Sequence, residues 1–218
     1  MEQQFGLETY ITQNGKNNGV YVPFPTTRKA IRRAFKKAHI PLNDWKVAAL
    51  KTGSDAFSKA VFECRNLDEL NLLGYWMSQF SEEEYCVFFD LCDAGCAEGQ
   101  RIADFINLAA NYHNIFCLKD IADEVALGEW CVEQMAKAKP EEADEIREEM
   151  AEHEEELGIE YAAFRHGHIY NNVFCGRKLE WSDVYDEECP ETIPEELRLS
   201  PPTFEEAVGR LSVPIENE

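Results

Sequence analysis

The sequence predicts an α+β fold, built as an elongated chain of three small domains over residues 1–64, 65–111 and 112–218. Three observations support this prediction. A length of 218 residues allows one to three small domains. A hydrophobic share of 44% provides apolar side chains for their cores despite a net charge of -21. Strand-like runs and helical periodicities also occupy separate stretches of the chain.

The first domain is predicted as a small α/β unit. Its expected strands, rich in β-branched and aromatic residues between turns, cover residues 9–12, 19–24, 45–50 and 60–64. A helix capped by Thr26 or Thr27 follows the second strand and ends at about His39. Six Lys and Arg side chains lie within its segment 28–37, so this helix is expected to have a basic face.

The second domain is predicted to consist of three short helices. Asn66 caps the first helix, and Ser81 caps the second in a capping-box pattern with Glu84. The third helix begins near Glu98, after Gly95 has ended the second. Apolar residues recur at intervals of three and four in each helix, and the loops are short, so a compact helical unit is expected.

The third domain is predicted to combine strands with helices. A strand-like run at 113–118 precedes a helix over about 120–137. A strongly acidic helix is expected within 139–158 and ends at its last residue, a glycine. The alternating pattern of 159–185 favours strands. A Pro-rich tail and a short helix around 204–211 complete the chain.

Charge is unevenly divided along the chain. Residues 1–61 contain 10 basic and 4 acidic side chains, residues 62–135 contain 3 and 15, and residues 136–218 contain 8 and 23. The surplus of carboxylates repels nucleic acid and anionic membranes, so direct binding to either is not expected. Because the sequence has no apolar run of 18 residues and no secretory signal, a cytoplasmic location is expected.

Motifs for catalysis and cofactor binding are weak, so we expect neither an enzyme nor a cofactor. The eight cysteines form no C-x-x-C pair, and zinc-knuckle spacing is absent. A G-x-S-x-G nucleophile and a phosphate-binding P-loop are also absent. One polar cluster, Arg165, His166 and His168, lies among aromatic residues. Such a cluster is more often structural than catalytic or metal-binding.

Acidic side chains on the predicted helices are the candidate binding residues. Residues three and four apart on a helix lie about 5–6 Å from each other, and each DNA strand has one charge per ~3.4 Å of axis. A row of such carboxylates can therefore imitate a row of phosphates, although most acidic helix faces are only solvated. The candidate phosphate-mimicking residues are Glu82, Glu83, Glu84, Asp90, Asp93, Glu98, Asp104, Asp120, Asp123, Glu124, Glu129 and Glu133.

Four segments, in order between residues 8 and 135, together resemble a known family. They are YIT with a Gly- and Asn-rich turn and VPFPTT at 10–27, NLDELNLL and FSEEE at 66–84, IADFINL at 102–108, and LGEWCVE at 127–133. In this order and spacing they resemble the ArdA family of antirestriction proteins, which conjugative plasmids and transposons carry.

The resemblance implies a function as well as the three-domain architecture. It implies a homodimer that has the shape and charge of bent B-DNA and occupies the DNA-binding groove of Type I restriction-modification enzymes, which protects incoming DNA. The dimer contact would lie near the fourth segment, and the implied interface residues are Leu127, Gly128, Trp130, Cys131 and Val132. The basic segment 1–61, the acidic insert 139–158 and the Pro-rich tail depart from the family pattern.

Several alternatives stay open. The same acidic mimic could be directed to another DNA-handling protein, such as a CRISPR effector or a regulator. A second alternative is an acidic adaptor without mimicry, and a third is a metal-binding protein or enzyme that uses Arg165, His166 and His168. A separate hypothesis pairs the basic segment 28–37 with the acidic segment 141–156 inside a dimer, or with another acidic partner.

Overall fold

The computed structural model describes residues 6–51 and 54–200 and has the mixed α+β fold that the sequence predicts. The division into domains at residues 64 and 111 stays a prediction. The strands are β1 (Leu7–Thr12), β2 (Gly19–Phe24), β3 (Lys46–Leu50), β4 (Ile115–Lys119), β5 (His168–Tyr170) and β6 (Val173–Arg177).

Eight α-helices of the described residues lie between these strands, four of them in succession after β3 and three after β4. They are α1 (Arg28–Ala38), α2 (Asp55–Glu63), α3 (Leu67–Met77), α4 (Glu82–Asp93), α5 (Ile102–Ala110), α6 (Glu124–Ala138), α7 (Ala143–Met150) and α8 (Glu154–Phe164). Within the described ranges, no helix combines the length and the apolar character that crossing a membrane requires.

The first sheet is antiparallel, with strand order β2-β1-β3. Helix α1 packs beside it, and Thr27 caps the helix by accepting a hydrogen bond from the amide of Ala30. Ile31 and Phe35, four residues apart, are the buried side chains of this helix. The apolar spacing therefore determines which side of α1 faces the core and leaves its cations on the outside.

The predicted strand at 60–64 is wrong, because this segment belongs to α2. Ser54 caps that helix by accepting a hydrogen bond from the amide of Phe57. Phe57, Val61 and Cys64 are all buried, and their spacing of four and three is helical rather than alternating. Phe57 lies at the centre of an aromatic cluster with edge-on contacts to Phe88, Phe89 and Phe105 at 5.2–5.8 Å.

The second sheet is also antiparallel, with strand order β4-β6-β5. It shares a small core with α6, in which Ile121, Leu127 and Phe174 are buried. The expected single acidic helix is instead two helices, α7 and α8, on either side of a turn at 151–153. Gly158 does not end a helix but lies inside α8, which continues to Phe164, so the first part of the expected strand region is helical.

The Pro-rich region before residue 201 lies against the main core as an extended strap, which we define as residues 181–200. It contains two short 3-10 turns at Pro190–Thr192 and Glu195–Leu197. Tyr185, Ile193 and Leu199 of the strap are buried in the same apolar cluster as α1 to α5. The short helix expected around 204–211 lies outside the described residues.

Candidate functional site: the acidic surface

Helix α4 begins with three consecutive glutamates, of which one has a structural role. The amide of Ser81 donates to Oε2 of Glu84 at 2.8 Å, and the amide of Glu84 donates to Oγ of Ser81 at 3.3 Å. These bonds form the predicted capping box and hold the pKa of Glu84 below its usual value. Glu82 and Glu83 are exposed and remain available to a partner.

Further along α4, the exposed acids form a sparse row. Glu83, Cys86, Asp90 and Asp93 are exposed and follow one another at intervals of three, four and three, so they share one face. The row is about 15 Å long at a rise of about 1.5 Å per residue. It has three carboxylates where one DNA strand has four or five charges at ~3.4 Å spacing. Helix α4 alone therefore does not match a phosphate row.

Asp104 is engaged at the start of α5. Its carboxylate accepts a hydrogen bond from the amide of Arg101 at 2.8 Å and forms an ion pair with the guanidinium of the same residue. Arg101 also pairs with Glu187 of the strap at 3.0 Å. Asp104 therefore stabilises the helix terminus. Glu98 lies in a 3-10 turn before α5, and its side chain is outside the described residues.

The acidic residues of α6 and of the segment just before it also include some with a structural role and some without one. Asp123 is the N-cap and accepts a hydrogen bond from the amide of Ala126 at 2.9 Å. Glu133 forms an ion pair with Arg147 of α7 at 2.6 Å, which lowers the pKa of Glu133. Asp120, Glu124 and Glu129 are exposed. Among the described residues, these three have no hydrogen bond or ion pair through their carboxylates.

A denser acidic surface lies where the sequence showed an insert. Residues 141–160 contain eleven Asp and Glu and one Arg, on α7, α8 and the turn between them. Three of these carboxylates have ion-pair partners among the described residues: Glu142 with Lys139, Asp144 with Arg147, and Glu156 with His153. The candidate residues did not include this segment, although its density of carboxylates was visible in the sequence.

The strap adds a second group of acids that the sequence analysis did not include. Its exposed acidic residues are Asp183, Asp186, Glu187, Glu188, Glu191, Glu195 and Glu196. They lie on the outside of a segment whose apolar side chains face the core. The strap therefore displays carboxylates at a fixed position instead of in a loose tail.

Buried amide side chains of α5 hold the strap in this position. The Nδ2 group of Asn107 donates to the carbonyl of Tyr185 at 2.9 Å, and its Oδ1 accepts from the amides of Val184 and Tyr185 at 2.9 and 3.0 Å. Asn111 donates to the carbonyl of Ser182 at 2.7 Å and accepts from its amide at 3.2 Å. These bonds satisfy backbone groups that belong to no helix or strand.

Helix α3 holds the rest of the strap through two further polar residues. Asn71 is fully buried and donates to the carbonyls of Leu197 and Thr26 at 2.7 and 3.2 Å. Asp68 accepts hydrogen bonds from the amides of Leu199 and Ser200. The strap, the start of α1 and α3 are therefore joined around one amide and one carboxylate.

Glu69 of α3 anchors the middle of the strap. The hydroxyl of Tyr185 donates to its Oε1 at 2.6 Å, and the thiol of Cys64 lies 3.4 Å from its Oε2. Burial, followed by this bond to Glu69, raises the pKa of Tyr185 far above its usual value. Burial is also the main reason why the pKa of Cys64 is raised. Both groups are therefore held in their protonated forms.

The residues implied as a dimer interface largely face their own chain. Leu127, Gly128 and Val132 are buried, and α6 packs closely against α8. Trp130 is partly exposed, and its ring lies 5.5 Å from that of Tyr161. Cys131 is also partly exposed. Only Trp130 and Cys131 thus retain surface for a partner, and the dimer contact stays a prediction.

Of Arg165, His166 and His168, only Arg165 lines an aromatic cleft, whereas His168 lies opposite Cys175 in the second sheet. The Arg165 guanidinium lies 5.2–5.6 Å from the ring centres of Phe116, Tyr161 and Phe164, at the edge of a cavity of about 440 Å³. In residues 6–51 and 54–200, no group of three or more His, Cys, Asp or Glu side chains is arranged to hold a metal ion. The contacts of Arg165 are those of a packed cation–π cluster.

The basic face of α1 is separate from these acids. Its exposed cations are Lys29, Arg32, Arg33, Lys36 and Lys37. In the described part of the chain, no ion pair joins them to segment 141–156 or to any other carboxylate. The pairing of these two segments therefore does not occur within one described chain, and pairing between chains stays a hypothesis.

No protein-family model and no curated protein matches this chain.

Proposed function

We propose that the chain is a non-enzymatic antirestriction protein that occupies the DNA-binding groove of a Type I restriction-modification enzyme by presenting carboxylates in place of phosphates. The main support is the large set of exposed carboxylates, few of which are neutralised by ion pairs among the described residues, on α4, α6, α7, α8 and the strap. A groove lined with cations for phosphates attracts such a surface through the same long-range field.

The density of carboxylates is higher in segment 141–160 than in α4. Eleven of its twenty residues are Asp or Glu, against five of twelve in α4. These eleven residues lie on two helices and the turns beside them, so they do not form one continuous row. Along α7, four acids in eight residues give about one carboxylate per 3 Å at ~1.5 Å per residue, which is close to the ~3.4 Å per charge of one DNA strand. We therefore place the centre of the mimic on α7 and α8.

A homodimer belongs to the proposal because the resemblance implies it. Two copies would double the acidic surface that one protein presents to the groove. Trp130 and Cys131 are the residues of the implied interface that retain exposed surface. Neither α1 nor its cations are assigned to the groove-binding surface.

A competition measurement tests this function. A fluorescent duplex with the recognition site is bound to a Type I methyltransferase core, and the purified chain is titrated in at low salt. We expect displacement of the duplex at low salt. In a direct binding measurement without the duplex, we expect the affinity of the chain for the enzyme to fall at high salt, because salt screens the attraction between exposed charges. Full retention of the duplex at a large excess of the chain in low salt would refute inhibition of that enzyme.

Matched charge variants then locate the surface. Glu148→Gln/Glu152→Gln removes two exposed acids from the dense segment, and Asp55→Asn/Glu63→Gln removes two exposed acids of α2. Net charge changes equally in both variants. We expect the first pair to raise the half-inhibitory concentration by roughly threefold to tenfold and the second to leave it within about twofold. Equal effects would show that net charge alone, without a local surface, causes inhibition.

A further inference from the structure

Three cysteines from distant parts of the chain meet at the second sheet. Cys117 of β4 and Cys175 of β6 are directly opposite each other in the antiparallel ladder. Their Sγ atoms lie 2.8 Å apart. Cys96, in the turn after α4, lies close enough to Cys175 to raise the pKa of that thiol. All three are free thiols.

The backbone geometry of this pair suits a disulfide. Directly opposed residues of antiparallel strands have Cα atoms about 4.5–5.5 Å apart, which is within the ~4.4–6.8 Å range that disulfides span. Opposed side chains also point to the same face of the sheet. Closing a bond between these sulfur atoms therefore needs no displacement of either strand.

The two thiols differ in access and in proton affinity. Cys117 is exposed, whereas Cys175 and Cys96 are 7% and 3% exposed. The hydrogen bond to Cys175 is the main reason why the pKa of Cys117 is raised. The same contact lowers the pKa of Cys175, but the proximity of Cys96 and burial raise it, to about 12 overall. The pair therefore keeps its protons at neutral pH under reducing conditions.

We propose that Cys117 and Cys175 are a reversible disulfide site, oxidised by low-molecular-weight disulfides. The exposed Cys117 thiol loses its proton to solvent and attacks one sulfur of the disulfide, and the other sulfur leaves as a thiolate. Because the pKa of Cys117 is raised, this step is slow at neutral pH and becomes faster as the pH rises. Cys175, deprotonated, then attacks Sγ of Cys117 and displaces the second small thiolate. Two protein thiols are oxidised, one small disulfide is reduced to two thiols, and the two protons pass to solvent or to the departing thiolates.

The disulfide closes a large loop. Its ends are 58 positions apart in sequence, and the loop contains α6, α7, α8 and β5. Closing such a loop restricts the unfolded chain, so the oxidised protein has a higher Tm.

The test uses the full chain treated with glutathione disulfide at pH 8 and then alkylated. Peptide mapping without reduction is expected to show a cross-linked Cys117–Cys175 peptide pair, and dithiothreitol is expected to reverse it. The Tm of the oxidised form is expected to rise by about 10 °C. Cys117→Ser should abolish both results, whereas Cys86→Ser, at an exposed cysteine on α4, should leave both unchanged.

Three results would overturn this site. One is a mixed disulfide on Cys117 that never passes to Cys175. Another is a dominant cross-link to Cys96 or to a different cysteine. The third is stoichiometric zinc in the purified chain that is lost in Cys117→Ser, since the thiols would then be metal ligands. Because Cys117 is exposed, its replacement is expected to preserve folding even if Cys175→Ser does not.

Discussion

Gly128 of α6 and Gly158 of α8 face each other where these two helices cross. A Cβ atom at Gly128 would overlap the carbonyl of Glu154, and one at Gly158 would overlap the carbonyl of Glu124. The two backbones thus approach so closely that neither position has room for a side chain. This contact fixes α8, and the acids that it carries, against α6.

Gly158→Ala should destabilise the protein even though Ala is the better helix former. Intrinsic propensity alone would add about 1 kcal/mol of stability, but the overlap with a backbone carbonyl should cost about 1–3 kcal/mol or more. The free energy of unfolding from urea titration measures the net change. Ala163→Gly, at an exposed position of the same helix, should lower stability by only about 1 kcal/mol. Stabilisation by Gly158→Ala would contradict the close crossing.

Asn107→Ala should release the strap from α5. The substitution leaves the amides of Val184 and Tyr185 and one carbonyl without their partner, and buried unsatisfied groups cost about 1–3 kcal/mol each. We expect a loss of at least about 2 kcal/mol and faster proteolytic cleavage within 181–200, measured by mass spectrometry. Asn43→Ala, at an exposed residue, is the control. Unchanged cleavage in Asn107→Ala would mean that the remaining polar and apolar contacts hold the strap without Asn107.

Tyr185 should make the protein sensitive to alkali. Its pKa in the folded chain is raised above the ordinary value of 10.0, so its contribution to stability is present below about pH 10 and is lost as the pH rises further. Tyr185→Phe removes the bond to Glu69 and should lower stability at pH 7 by about 1–3 kcal/mol. The difference in free energy of unfolding between the unchanged protein and Tyr185→Phe should narrow above pH 10. The pKa of Cys64, whose thiol contacts the same Glu69, is also raised, and this residue is present in both proteins. A constant difference in stability across this pH range would argue against the effect.

The glutamates at the start of α4 should separate into a structural and a functional group. Glu84→Ala removes half of the capping box and should lower stability by about 0.5–1 kcal/mol. Glu82→Ala/Glu83→Ala should change stability by less, because these side chains are exposed and make no described hydrogen bond. In the competition assay, the double variant should weaken inhibition modestly. If Glu84→Ala were neutral in thermal unfolding, the cap would be dispensable.

Local patterns in the sequence predicted most of the fold. Thr27, Asn66 and Ser81 cap helices as expected, because a cap depends on residues only three or four positions apart. The strand prediction for segment 60–64 is wrong. A short apolar run shows no clear periodicity by itself, and the prediction does not include the helical spacing of this run from Phe57. The helix end predicted at Gly158 is also wrong. A glycine is required at this position because of a close contact with another helix, which the local sequence does not show.

The candidate site was less accessible from the sequence than the fold. Asn107 and Asn71 resemble ordinary polar positions of amphipathic helices, and their partners lie 78 and 126 positions away in the chain. Periodicity identifies a buried face but not a polar residue that binds a distant backbone. Likewise, Glu84, Asp104 and Asp123 are structural acids that composition alone cannot distinguish from Glu82 or Glu124. The function itself stays a proposal.

The strap also bears on how the protein is made. Ile193 and Leu199 fill the same core as strand β1, so the first sheet and the central helices cannot complete their packing until residue 199 has been synthesised. If only residues up to 180 have emerged from the ribosome, the chain still exposes the apolar surfaces that the strap covers. The core is thus expected to complete its packing only after residue 199 has emerged, and a chain stalled before the strap is expected to expose apolar surface until then.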